Sequence, residues 1–171
     1  IISMFLGISS VGIITNYKVI LNAVSSLISQ IFNAITASVG NLLVSESKEK
    51  VYDTYKKLSL MNFFIFYISS IVLCMAINLI IKVIYGGEYL MGTIEVCVLM
   101  TNFYMQGMKK NIQLFKEAAC IFYEDRYMPL LEAIANLVLS VIFVKFLGIA
   151  GVILGSILSS LVVFLYSYPK Y

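Results

Sequence analysis

Polar positions in the longest uncharged run of the chain follow a regular spacing. From Val19 to Ser45 no residue is charged, and Asn22, Ser26, Ser29, Gln30, Asn33, Thr36, Gly40 and Asn41 recur every three or four positions. This spacing places them along one face of an α-helix. The run is longer than the about 20 residues that cross a bilayer. Polar groups are costly against lipid, so such a helix is expected to turn this face toward other helices or a water-filled cavity.

The same reading continued along the chain predicts an all-α, polytopic bundle of about five complete spans after a partial one. Residues 1–15 are apolar but interrupted by Gly7, Ser9, Ser10 and Gly12, and Asn16, Tyr17 and Lys18 mark an interface. Complete spans follow at about 19–44, 58–82, 90–108, 129–146 and 151–167. A solvated stretch from Ser45 to Lys57 separates the first two, and Gly86, Gly87 and Glu88 make a turn after the second. The charged stretch 109–128 fits an interfacial helix or an extension of the third span. Pro129 opens the fourth span, where a first helical turn tolerates it. The turn at Gly148–Gly151 separates the last two spans, and Pro169 ends the fifth.

Composition agrees with this pattern. The chain is 61% hydrophobic and 12% charged, about half the charge of a soluble domain. It has no His, which excludes histidine relays and histidine-ligated metals from this stretch, and no Trp. Beginning at Ile1 within an apolar run, it reads as a fragment of a longer protein, without a signal peptide. Cys74, Cys97 and Cys120 are far apart in sequence and lack metal-ligand spacing, so they read as small buried hydrophobes. Nine of the twelve basic residues fall in 45–57, 109–127 and the tail, leaving Lys18, Lys82 and Lys145 for the other side. The positive-inside bias makes the first group cytoplasmic.

Four constellations deserve a function or a bland alternative. Asn22, Ser26, Gln30, Asn33 and Asn41 form either a cavity wall able to bind a polar substrate such as a sugar, or helix–helix contacts worth about 0.6 kcal/mol each. Glu132, Asn136 and Ser140 are spaced i, i+4, i+8. Glu132 is a candidate coupling-ion site, or an interfacial acid paired with Arg126 or Lys110. Glu95, Asn102, Gln106, Lys109, Lys110 and Gln113 keep helical steps, with lysines placed for an anionic headgroup or for snorkelling. Gly151, Gly155 and Ser159 form a small-residue packing line. No triad, P-loop or dinucleotide turn is present, and the adjacent Glu124 and Asp125 read as a solvated face.

Several stretches, in this order, resemble a known family. They are Ile1-Ile2-Ser3-Met4-Phe5-Leu6-Gly7 with Val11-Gly12-Ile13 and Asn16-Tyr17, then Ala34-Ile35-Thr36-Ala37-Ser38-Val39-Gly40-Asn41 before Glu46-Ser47-Lys48-Glu49-Lys50. Gly87-Glu88-Tyr89-Leu90 follows, then Asp125-Arg126-Tyr127-Met128-Pro129-Leu130-Leu131-Glu132-Ala133, Asn136-Leu137 and Gly148-Ile149-Ala150-Gly151-Val152. Together they resemble bacterial polysaccharide repeat-unit flippases of the multidrug/oligosaccharidyl-lipid/polysaccharide exporter superfamily. The resemblance implies a two-lobe helical protein around a central cavity, with this chain forming most of the C-terminal lobe. It implies alternating-access flipping of undecaprenyl-diphosphate-linked oligosaccharide across the bacterial plasma membrane, without covalent chemistry or a cofactor. The expected partners are that lipid-linked substrate, the bilayer and polysaccharide assembly proteins, with no nucleic acid. Substrate-cavity candidates are then Asn22, Ser26, Gln30, Asn33, Asn41, Asn102, Gln106 and Asn136. In some relatives basic cavity residues hold the pyrophosphate; here no Lys or Arg falls mid-span, which leaves Lys18, Lys110 and Arg126 as candidates at a cavity mouth. The alternatives are a drug/cation antiporter of the same superfamily, coupled through Glu132, and a membrane-embedded polysaccharide polymerase or acyltransferase.

Overall fold

The computed structural model describes residues 2–119 and 127–167, with side chains for 5–119 and 127–162. Arg126, Glu124, Asp125, Cys120 and Pro169 lie outside the described residues. Within them the chain forms four helices and no strand: α1 (Ile2–Ser45), α2 (Lys48–Ile84), α3 (Thr93–Ala118) and α4 (Met128–Ser167), with a 3-10 turn at Gly87–Tyr89 between α2 and α3. Three stretches, Phe5–Ser45, Lys48–Ile84 and Met128–Val162, are long and apolar enough to cross a membrane. These are the features of a helical membrane protein.

The span count falls from the expected five to three because α3 is not an apolar span and the expected 129–146 and 151–167 spans lie in one helix, α4, broken at Gly148; other boundaries shift as well. The apolar run before Asn16 joins the 19–44 span into α1, whose backbone departs from helical geometry only at Gly7, with φ 83°. Asn16, Tyr17 and Lys18 do not break the helix, because Tyr17 is buried and hydrogen-bonded inside the bundle. Beyond the break at Gly7 the helix runs on to Ser45, about 57 Å by helical rise, nearly twice the hydrocarbon core of about 30 Å. Next, the expected cytoplasmic loop 45–57 shrinks to Glu46 and Ser47, since α2 starts at Lys48 and takes up the charged residues. Finally, α3 runs through to Ala118 but carries too many polar groups to be an apolar span.

The polar α3 is tolerated because it is the centre of the bundle. It packs against α1, α2 and α4 alike. Its start is fixed by the Glu95 carboxylate, which accepts the Gly92 backbone N–H at 2.7 Å and satisfies one of the orphan donors of a helix start. Gly107 sits where a Cβ would lie 2.1 Å from the Phe66 ring, so α2 and α3 approach over a residue with no side chain. The core joins Tyr17, Ile28 and Phe32 of α1, Phe66 and Ile77 of α2, and Leu99 and Phe103 of α3.

α4 folds back on itself. Gly148 has φ 57° and ψ −129°, a conformation that a Cβ disfavours. The arms on either side meet: Asn136 donates to Ser156 at 3.1 Å, and Ser160 donates to Glu132 at 2.5 Å. A Cβ on Gly151 would lie 2.2 Å from the Phe143 carbonyl oxygen, and one on Gly155 2.7 Å from the Ser140 hydroxyl. The small-residue line thus seats one arm against the other, as its spacing predicts.

Candidate functional site

Two adjacent lysines of α3 point to different helices. Successive helical residues are about 100° apart, given 3.6 residues per turn, so Lys109 and Lys110 diverge. Lys109 reaches α4 and pairs with Glu132 at 2.6 Å. Glu132 also accepts the Ser160 hydroxyl, and Ser160 accepts from Gln106 at 3.1 Å. Asn136 continues this polar seam, donating to Ser156 and accepting from Ser140 at 2.8 Å. The pair is only partly shielded, with side chains 25% and 29% exposed.

Lys110 reaches α1 instead. Its ammonium donates to the Ser25 carbonyl at 3.1 Å, to the Ser25 hydroxyl at 2.8 Å and to the Ser29 hydroxyl. It lies 5.8 Å from the Phe66 ring centre, a cation–π geometry. Three donors thus meet three neutral oxygens, and no carboxylate lies within ion-pair distance among the described residues. Lys110 is a tie between α1 and α3, not an open cation at a cavity mouth. Toward the other end of α1, the Tyr17 hydroxyl donates to Asn78 at 2.5 Å and accepts the Met91 N–H at 2.9 Å. These two ties fix which side of α1 faces the bundle.

The polar stripe lies on the side left outside, together with Val19, Leu27 and Ile31. Asn22, Ser26, Gln30, Asn33 and Asn41 are all exposed, while Leu21, Ile28, Phe32 and Val39 are buried. The side chains of those five make no hydrogen bond to another described residue; Asn41 is met only at its backbone carbonyl, by the Ser45 hydroxyl at 2.9 Å. The expectation that they turn toward neighbouring helices is therefore corrected for α2, α3 and α4. Contact between helices is mediated by Ser25 and Ser29, at the edge of the stripe. Lys18 is also exposed, one helical turn from Asn22, so a cation continues the same face.

The remaining candidates divide. Asn102 is partly buried and its Oδ1 has no partner, whereas Gln106 is exposed apart from its bond to Ser160. Asn136 is engaged within α4, away from the α1 face. The partner expected for Glu132 was Arg126 or Lys110; the observed one is Lys109. Sequence reasoning missed Tyr17 and Ser25 as ties. The Gln106-to-Lys109 step on one face held the signal for the Glu132 pair. Among the described residues no cluster of three potential metal ligands occurs. Comparison with protein-family models, curated proteins and solved structures finds no match for this chain.

Proposed function

We propose that this chain is part of a bacterial plasma-membrane flippase that moves undecaprenyl-diphosphate-linked oligosaccharide between leaflets during polysaccharide synthesis. One observation carries the reading: a helix long and apolar enough to span a membrane leaves a stripe of amide and hydroxyl side chains, bordered by Leu27 and Ile31, uncovered by its own bundle. Polar side chains within a membrane face protein or water. A face of amides and hydroxyls has the donors and acceptors that a sugar chain needs. The substrate's headgroup cannot cross hydrocarbon unaided, while its polyprenyl tail can stay in lipid. A cavity open between two lobes meets both demands, and rocking of the lobes would move the site from one side to the other.

Within this reading Asn22, Ser26, Gln30 and Asn33 contact sugar, and Lys18 supplies charge to the diphosphate. Lys18 takes precedence over Lys110, whose three donors are already used within the bundle. Glu132 holds Lys109, which weighs against an antiporter using it as a free acid. No covalent step is assigned.

The test is reconstitution of the full-length protein in vesicles, following transfer of the lipid-diphosphate oligosaccharide between leaflets. The double variant Gln30→Leu/Asn33→Leu loses two hydrogen bonds of about 1 kcal/mol each, so transfer should fall about 10- to 30-fold with normal membrane insertion. Unchanged transfer in that variant would remove the cavity role. Turnover of a sugar donor without transfer would replace the flippase with an enzyme.

A further inference from the structure

We propose that Cys74 of α2 and Cys97 of α3 form a thiol pair that closes to a disulfide within the chain. Separated in sequence, they are brought together by the antiparallel register of α2 and α3. Asn62 bonds to Gly107, Phe66 packs on Phe103, Ser70 donates to the Met100 carbonyl, and Asn78 donates to the Met91 carbonyl. Cys74 lies midway between Ser70 and Asn78, and Cys97 falls in the matching interval between Met91 and Met100. The register therefore places the two side chains as neighbours along the α2–α3 seam. Both are free in the structure, Cys74 half-buried and Cys97 exposed.

The hydrogen bonds on either side keep this part of the seam in register, so the sulfurs stay neighbours without further ordering of the backbone. Cys97 is exposed and shares its outward face with Ile94, and Cys74 is half-buried rather than sealed in the core. The pair is therefore open to a small oxidant dissolved in the lipid. The charge pattern also sets the turn after α2 on the non-cytoplasmic side, where disulfides form and persist. Closure joins the two sulfurs and releases two protons and two electrons. Two copper(II) ions of a lipid-soluble chelate each take one electron, and the protons pass to water. The closed loop contains Met91, whose N–H binds Tyr17, so oxidation would also fix the non-cytoplasmic end of the bundle. This inference does not depend on what the protein transports.

The full-length protein in lipid nanodiscs is treated with copper(II)–phenanthroline, then with N-ethylmaleimide, and mapped by peptide mass. The expected product is a Cys74–Cys97 cross-linked peptide, lighter by two hydrogens, with both residues protected from alkylation and released by dithiothreitol. In Cys97→Ser the cross-link is absent and Cys74 is alkylated. Alkylation of both residues after oxidation, at the untreated level, would overturn the proposal. So would disulfides that join either residue only to another chain.

Discussion

Helices α1 and α2 each meet the length and apolarity of a membrane span and each leave one side uncovered, yet the two uncovered sides differ in chemistry. On α2 the outer side presents Phe64, Ile68, Ile71, Val72, Met75 and Leu79. On α1 it presents Asn22, Ser26, Gln30 and Asn33 beside Ala23, Ala34, Ala37 and Ser38, interleaved with exposed Val19, Leu27 and Ile31. The first is a surface for acyl chains. The second is a surface that acyl chains solvate poorly and that small side chains leave open to close approach. Average hydropathy places both helices in the membrane; only the distribution around each helix tells what surrounds it.

The comparison breaks most visibly under water-soluble labels. In a background without native cysteines, Asn22→Cys and Asn33→Cys should react with a membrane-impermeant maleimide, whereas Ile68→Cys and Met75→Cys should not. Equal reaction at all four would erase the distinction. Insertion energetics give the next largest effect. Ile71→Lys should raise the cost of membrane insertion by about 3–4 kcal/mol near the bilayer centre, and Asn33→Lys by much less, measured in a translocon insertion assay.

The ties that orient α1 sharpen the comparison. Lys110→Met removes charge-assisted bonds worth about 1.5–3 kcal/mol, with the lower end expected because Ser25 and Ser29 can bond to their own helix. Its readout is denaturant unfolding in detergent, together with altered labelling at Asn33→Cys as α1 rotates. Tyr17→Phe removes a hydroxyl with two partners and should cost about 1 kcal/mol by the same unfolding measurement, with little change in labelling.

Some of this was legible from residue spacing. The α1 stripe and the line through Asn102, Gln106 and Lys109 are helical faces in the sequence and in the structure. Gly148 reads as a turn, and Gly151 and Gly155 pack where a Cβ would collide. What spacing does not contain is the identity of the neighbour. Neutral ends of a stripe look alike whether they face a helix or the outside, and Ser25 was overlooked because only its contact with Lys110 distinguishes it. Lys109 and Lys110 differ by one position, and that rotation decides which meets Glu132 and which meets α1. Tyr17 looked like an interface marker because polarity suggests a boundary, while its hydroxyl is spent inside the bundle. Cys74 and Cys97 seemed isolated because sequence distance ignores a hairpin; equal distances from the turn after α2 bring them together.

The Tyr17 bond to the Met91 N–H also carries a statement about the order of assembly. Its acceptor is made seventy-four residues before its donor, while chains are built from the N-terminus at a finite pace. Until the turn beyond α2 emerges, the phenol has no backbone amide to receive. The first helix must therefore wait in the bilayer with that contact unmade, and the arrival of Met91 is the moment at which the growing hairpin latches onto it.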